Sequence, residues 1–432
     1  MPTSTFTMIF LGALAMSMGV RLWLARRHQT HVRQHRPQVP AAFRDKITPD
    51  NHQRAADYTV AKTRLEMIEI VLSAALLLLW TLGGGLAWLD AGWRSLQFSP
   101  LVTGVGVLLS VFVLGQIFDL PLSVYHTFVL EQRFGFNRTT PALFLGDLFK
   151  QAVLLMVLGV PLAGLVLWLL ESGGDLWWLY VWAAWMGLML LMMWAYPALI
   201  APLFNRFTPL QDGELRQRVL ALLQKNGFAS SPSANQAANQ ASGQGIFVMD
   251  GSRRSGHGNA YFTGLGANKR IVFYDTLLNS LTPNEIEAVL AHELGHFKRR
   301  HIHKRIAATA IMTLAGLALL GGLMAQPWFY TGLGVSQPSS YMALVLFLLV
   351  LPVFTFFMQP MSAYLMRKHE FEADDFAATQ TNPADLVQAL VKLYKENAAT
   401  LTPDPLYSAY HDSHPPAPVR IAHLSAKLKG AL

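Results

Sequence analysis

The sequence predicts a mainly α-helical, polytopic membrane protein with a soluble metal-binding portion that includes a small β-sheet. Three observations carry this. Of 432 residues, 52% are hydrophobic and only 14% charged, against about 25% charged in ordinary soluble domains. Seven apolar runs are long enough to cross a bilayer. The stretch His292-Glu293-Leu294-Gly295-His296 reads His-Glu-x-x-His, a metal-binding pattern when it lies on a helix.

The apolar runs lie at 5–24, 67–91, 101–126, 149–171, 176–203, 306–326 and 339–366. Basic residues alternate between them. The loop 25–66 holds nine Lys or Arg, the loop 127–148 holds Arg133 and Arg138, the segment 204–305 holds thirteen, and the tail after 366 holds seven. The loops after the fourth and sixth runs hold none, and the loop after the second holds only Arg94. Every basic segment therefore falls on one side, which the positive-inside rule makes cytoplasmic, with the N-terminus outside. The first run reads as an uncleaved anchor, because its leader has no positive charge and the basic cluster follows it. Asp119 in the third run is expected either to line a cavity or to bond a neighbouring helix. The expected layout is spans one to five over 1–203, a soluble metalloprotease segment over 204–305, spans six and seven over 306–366, and a soluble tail over 367–432.

The net charge of +8 is the bias of cytoplasmic loops facing anionic lipid. No basic stripe interleaved with aromatics suggests nucleic acid, and no obligate protein partner is evident. The absence of cysteine excludes disulfides and thiolate-ligated metals, so a metal here needs His and carboxylate ligands.

Within 204–305, residues 213–226 read as a helix, and 229–245, rich in Ala, Ser, Asn and Gln, as a loop without chemistry. Strands are expected at 246–251, 259–264 and 270–274, the last two as a hairpin bent at Gly264, Gly266 and Asn268. An edge strand beside a metal can hold a peptide by taking it as a further strand; a purely structural sheet fits the sequence equally. Thr282, Pro283 and Glu285 then form a helix start with a capping box, and Ile286, Val289, Leu290 and Leu294 recur with helical spacing. On that helix His292 and His296, four apart, share a face and can reach one metal ion. Glu293 beside them could take a proton from a water held by the metal, the core of a zinc peptidase.

Two histidines need a third protein ligand. The last run continues into Glu370-Phe371-Glu372-Ala373-Asp374-Asp375, where Glu370 and Asp374 share a helical face. Glu370 as ligand and Asp374 as hydrogen-bond partner of a ligating His fit both needs; Glu372 or Asp375 serves instead if the helix is rotated. Downstream, His411, His414 and Arg420 are candidate donors to a developing oxyanion.

Taken together, several stretches resemble one family, the type I CAAX prenyl proteases, which are integral-membrane zinc endopeptidases. They are Glu131–Arg138, Pro202–Phe207, Asp250–Ser255, Gly258–Phe262, His292–His296, Glu370–Asp374 and Ser413–Pro416 through Arg420, in order over about three-quarters of the chain. The resemblance implies seven transmembrane helices forming a barrel around a large water-filled chamber. It implies one zinc ion held by His292, His296 and Glu370, with Glu293 as general base, and it is this resemblance that chooses Glu370 over Glu372. Asp374 falls on the acid behind a ligand, and His414 and Arg420 on residues that contact substrate or polarise its carbonyl. Asn259, Ala260 and Tyr261 fall on the strand that lines the substrate. The 229–245 loop departs from the family's short connection. The compact chain without an ER-retention tail fits a bacterial member in the inner membrane, which puts a prenylated substrate in question.

The resulting expectation is a zinc endopeptidase acting near the C-terminus of lipid-modified or other membrane-associated peptides, for CAAX processing or for quality control of membrane proteins. A transporter or channel lined by Asp119 and a silent scaffold binding lipidated tails are the rivals. Neither explains zinc-ligand chemistry at cytoplasmic span ends with an intact general base.

Overall fold

The computed structural model describes residues 1–227, 245–263 and 270–430. Its helices are α1 (Thr3–His35), α2 (Pro49–Trp80), α3 (Gly85–Ser95), α4 (Pro100–Glu131), α5 (Pro141–Ser172) and α6 (Gly174–Phe204) in the first half. Strand β1 (Phe207–Pro209), helix α7 (Glu214–Lys225), strands β2 (Gly245–Met249), β3 (Ala260–Thr263) and β4 (Arg270–Tyr274), and helices α8 (Asp275–Ser280) and α9 (Pro283–Lys298) form the soluble segment. Then come α10 (His301–Met324), α11 (Pro327–Thr331), α12 (Ser340–Gln380), α13 (Pro383–Glu396), α14 (Pro405–His411) and α15 (Ala417–Gly430). The loop expected over 229–245, apart from Gly245, and the bend at Gly264, Gly266 and Asn268 lie outside the described residues.

Among the described residues six helices are long and apolar enough to cross a membrane, or seven if the bent pair α2 and α3 is one span. The run 67–91, expected as one span, is bent. The chain turns by 50° between α2 and α3. The cause is Gly83-Gly84-Gly85. Gly84 sits at φ +77, in the left-handed region that glycine enters without steric cost, and a Cβ at Gly83 or Gly85 would meet the Leu79 carbonyl oxygen at 2.8 or 2.9 Å. Several helices also overrun their apolar runs. Helix α1 continues to His35, and α12 runs 41 residues without leaving the helical path.

The membrane bundle packs on its own core. Tyr341, Met342, Ala343, Leu346 and Val350 of α12 meet Phe10 of α1, Val107 of α4, Leu167 of α5 and Leu320 of α10. Small residues let these helices close up: a Cβ at Gly104 would meet Tyr341 at 2.8 Å, and one at Gly106 would meet Trp93 at 2.6 Å.

The soluble core is separate. It is built on α9, whose Ile286, Ala288, Leu290, Ala291 and Leu294 are buried against α7, α13 and α15, with Val39, Phe43 and Ile47 added from the loop after α1. Full burial of each large aliphatic side chain contributes roughly 1.5–3 kcal/mol. The sheet order is β1-β2-β4-β3. Strands β3 and β4 form the expected antiparallel hairpin, with Ala260 opposite Phe273 and Phe262 opposite Ile271. Strand β2 runs parallel to β4, and β1, which the sequence reading did not foresee, pairs antiparallel with β2. Strand β3 is therefore at one edge of the sheet.

Candidate metal centre

Helix α9 begins where its sequence says. Thr282 Oγ1 accepts from the Glu285 N–H at 3.4 Å, and Glu285 Oε2 accepts from the Thr282 N–H at 2.7 Å, a complete capping box. Lys392 donates to the same carboxylate at 2.7 Å, tying α13 to the start of α9. Further along, Gly295 is the point of closest approach to α12. A Cβ there would lie 2.9 Å from Ala373 Cα and 3.0 Å from the Ala373 carbonyl oxygen. The glycine inside His-Glu-Leu-Gly-His thus lets two helix backbones touch, and the histidines one turn apart on α9 face the carboxylates one turn apart on α12.

Three donors converge. His292 Nε2 and His296 Nε2 are 3.2 Å apart, Glu370 Oε2 is 3.4 Å from the first, and Glu370 Oε1 is 3.2 Å from the second. A tetrahedral ion with bonds of about 2.0–2.1 Å separates its ligand atoms by about 3.3 Å, so the spacing fits a metal. Glu370 Oε2 is buried and has no hydrogen-bond partner. A buried carboxylate oxygen without a hydrogen bond favours a nearby cation, and this one is aimed at the imidazole of His292 with the Arg420 guanidinium 3.5 Å away. Among the described residues this is the one group of His, Asp or Glu side chains gathered tightly enough to hold a metal ion.

Behind the donors lies a charged frame. His292 Nδ1 is 2.8 Å from Asp374 Oδ1, so the ring turns its other nitrogen to the site. Arg420, buried, grips Asp374 with two parallel hydrogen bonds, Nε to Oδ2 at 2.8 Å and Nη2 to Oδ1 at 2.5 Å. Its Nη1 reaches to 3.5 Å from Glu370 Oε2. Burial and the Arg420 charge push the His292 imidazole down, but the adjoining carboxylates of Asp374 and Glu370 outweigh them and lift it to about 9. His414 stands at the open side, its Nε2 3.4 Å from Glu370 Oε1 and its side chain 65% exposed.

The two acids that the spacing left open turn elsewhere. Glu372 Oε2 pairs with His301 Nε2 at 3.0 Å, and Asp375 pairs with His423 at 2.7 Å and Lys427 at 3.1 Å. His411 also lies away, its Nδ1 3.3 Å from Gln359 Nε2 on α12.

Glu293 is half-buried and makes no hydrogen bond or ion pair among the described residues. It lines a small gap with Ala260, Tyr261 and Phe262 of β3 and Leu290 of α9. Edge strand β3 and the metal helix therefore face one another across the candidate base, and Phe262 packs on Phe297 with ring centroids 5.7 Å apart. The entry to β3 is held by a residue that sequence reasoning missed. Asn397, at the end of α13, accepts from the Gly258 N–H at 3.0 Å and donates to the Gly258 carbonyl at 3.2 Å. Next to it a cavity of about 930 Å³ opens, lined by Asn259, Tyr274, His257, Glu66 and Lys62 among others. A second cavity of about 390 Å³ lies among the membrane helices, and Asp119 lines it with Arg21 and Gln116, the first of its two expected places.

Comparison with known proteins gives the family. Residues 28–206 match the family described as CAAX prenyl protease N-terminal, five membrane helices, and residues 209–428 match Peptidase family M48. The chain belongs to peptidase family M48. It is 34% identical over 406 residues to a CAAX prenyl protease 1 homolog of Arabidopsis thaliana, covering 91% of this chain and 92% of the relative. It is 32% identical over 413 residues to CAAX prenyl protease 1 of Saccharomyces cerevisiae, covering 89% and 88%. The crystal structure of S. mikatae Ste24p superposes with a TM-score of 0.88 at 30% identity, covering 98% of this chain and all of the other. This M48 chain is thus a multi-pass membrane metallopeptidase that acts on a peptide or protein.

Proposed function

We propose that this M48 peptidase is a zinc endopeptidase that cleaves near the C-terminus of CAAX-type or other membrane-associated peptides, within or beside a chamber enclosed by the membrane helices. The observation that carries the reading is the convergence of His292, His296 and Glu370 at the spacing of a tetrahedral ion, with Glu293, unpartnered among the described residues, beside the edge strand β3. Zinc is the metal that two imidazoles and one carboxylate with a vacant fourth place suit. Bound there, it would polarise a carbonyl and lower the pKa of a water from about 15.7 toward about 7.

The chain's own groups would do the rest. The free edge of β3, with Asn259, Ala260 and Tyr261, takes the peptide as an added strand and aligns its backbone with the centre. Glu293 accepts a proton from the attacking water and returns it to the leaving amine. His414, exposed and aimed at the site, donates to the oxygen that gains charge. Arg420 keeps Asp374 ionised, and its Nη1 lies 3.5 Å from Glu370 Oε2. The CAAX assignment draws on what the relatives are called and on the membrane setting. Orientation follows the basic loops: N-terminus outside, metal centre and C-terminus in the cytoplasm, with the bacterial inner membrane as the proposed membrane.

The test is Glu293→Gln. Peptide hydrolysis should fall by at least about 100-fold while metal content, read by elemental analysis of the purified protein, stays at the parent's value. Retained hydrolysis would remove Glu293 from its role. Prenylated and bare peptides compared in the same assay distinguish CAAX processing from lipid-independent quality control.

A further inference from the structure

We propose that His301 and Glu372 form a hydrogen-bond relay behind His296 that fixes which of its ring nitrogens faces the metal, making both positioning residues of the centre. This rests on the reading that His292, His296 and Glu370 hold the ion. The two histidines have unlike surroundings. His292 is oriented by a carboxylate in direct contact, since its Nδ1 lies 2.8 Å from Asp374. His296 has no carboxylate at its Nδ1. That nitrogen lies 3.0 Å from Nδ1 of another imidazole, His301. His301 in turn places Nε2 3.0 Å from Glu372 Oε2.

The proton positions along this chain follow from donor chemistry. An ionised carboxylate only accepts, and Lys304, whose Nζ is 3.6 Å from Glu372 Oε2, favours the ionised form. His301 Nε2 therefore carries the hydrogen that Glu372 receives. In a neutral imidazole the other nitrogen then has a lone pair, so His301 Nδ1 accepts. His296 Nδ1 must be the donor to it. The remaining nitrogen of His296, Nε2, is left with its lone pair, and that nitrogen is the one that converges with His292 Nε2 and Glu370 Oε1 at 3.2 Å each.

The relay is also held in place. The His301 ring is buried and stacked on His369, with centroids 4.1 Å apart and planes 16° from parallel. Arg300 just before it adopts φ +57, a left-handed turn that breaks α9 from α10 and swings His301 back beneath His296. Hence the first ligand is set by α12 through Asp374, with Arg420 of α15 3.3 Å from the same Nδ1, and the second by α12 through an imidazole carried on α10. Carboxylate partners of ligating histidines are worth about 10–100-fold in metal affinity when removed.

The experiment uses the full chain in detergent, stripped of metal and titrated with zinc against a chromogenic chelator. His301→Ala and Glu372→Gln should each weaken zinc binding, by about 10–100-fold for the first and less for the second, because a glutamine carbonyl still accepts. His301→Gln, which restores an acceptor, should recover part of the loss. Lys427→Ala, which breaks the neighbouring ion pair to Asp375 outside the relay, should leave affinity at the parent's value. The metal-free variants should unfold at the parent's midpoint, and cobalt-loaded His301→Ala should show a shifted visible absorption. Zinc affinity equal to the parent's in both His301→Ala and Glu372→Gln would overturn the relay. If His301→Ala fails to fold, Glu372→Gln, whose side chain is partly exposed, decides the question by itself. A parent chain that binds no zinc would overturn the metal centre itself, an outcome distinct from a loss confined to the variants.

Discussion

The soluble core and the membrane bundle use the same side chains in opposite ways. Around α9, large aliphatics point inward and vanish from the surface: Leu290 is 1% exposed and Leu294 is fully buried. In the bundle many point outward, around a buried core that holds Leu167, Leu320 and Leu346. Only 6% of the apolar window of α10 is buried, against 56% for α12, which runs through the middle. Leu145 is 63% exposed and Ile311 67%. Lipid tails solvate these outer faces as well as a protein core would, so they add little to the hold between helices, which comes from the packed core and from close contacts at glycines. The metal centre lies where the two regimes meet. Helix α12 supplies the bundle's core with its first half and the centre's carboxylates with its second.

The largest effect should come from breaking the joint itself. Glu370→Ala removes the one ligand that the membrane-spanning helix brings to the histidines, and should leave no retained metal by elemental analysis and no hydrolysis. Acid should act on the same joint from the soluble side. His292 in the metal-free site is lifted to about 9, and a protonated imidazole cannot ligate. The proton therefore competes with the metal throughout the range below 9. Metal affinity should rise as pH rises, approaching about tenfold per unit well below pH 9 and levelling above it; titrations at pH 6, 7 and 8 measure it. The smallest effect sharpens the contrast between regions. Leu290→Ala should cost about 2–5 kcal/mol of stability, whereas Leu145→Ala should change it by no more than about 0.5 kcal/mol, both read by thermal unfolding in detergent. Equal costs would mean that the bundle is stabilised like the soluble core.

Much of this architecture is legible in the amino-acid order alone. Apolar runs and alternating basic loops locate the spans, because a bilayer imposes a length that local composition reveals. The capping box and the pentapeptide locate α9, because a helix and two ligands one turn apart are local features. The correct acid is narrower ground. Spacing places Glu370 and Asp374 on one face but leaves Glu372 and Asp375 open, since the rotation of α12 depends on where it touches α9, and that is set by Gly295 against Ala373. His301 escapes for the same reason. It lies five residues past His296, off the helical face, and only the left-handed Arg300 returns it to the centre. Asn397 and the β1 and β2 pairings join distant parts of the chain, for which no local pattern exists.

The length of α12 sets a tether rule. Its 41 residues span about 60 Å at about 1.5 Å each, roughly twice the about 30 Å of hydrocarbon in a bilayer. If Ser340 marks one hydrocarbon boundary, the other is reached near Pro360, and Glu370 stands ten residues, or about 15 Å, beyond it. An extended peptide covers that distance in about four to five residues. A bond closer than that to a greasy anchor cannot reach the ion while the anchor stays among bulk lipids. For such a substrate the hydrocarbon tail has to leave the bilayer and lodge among the helices before the cut is made.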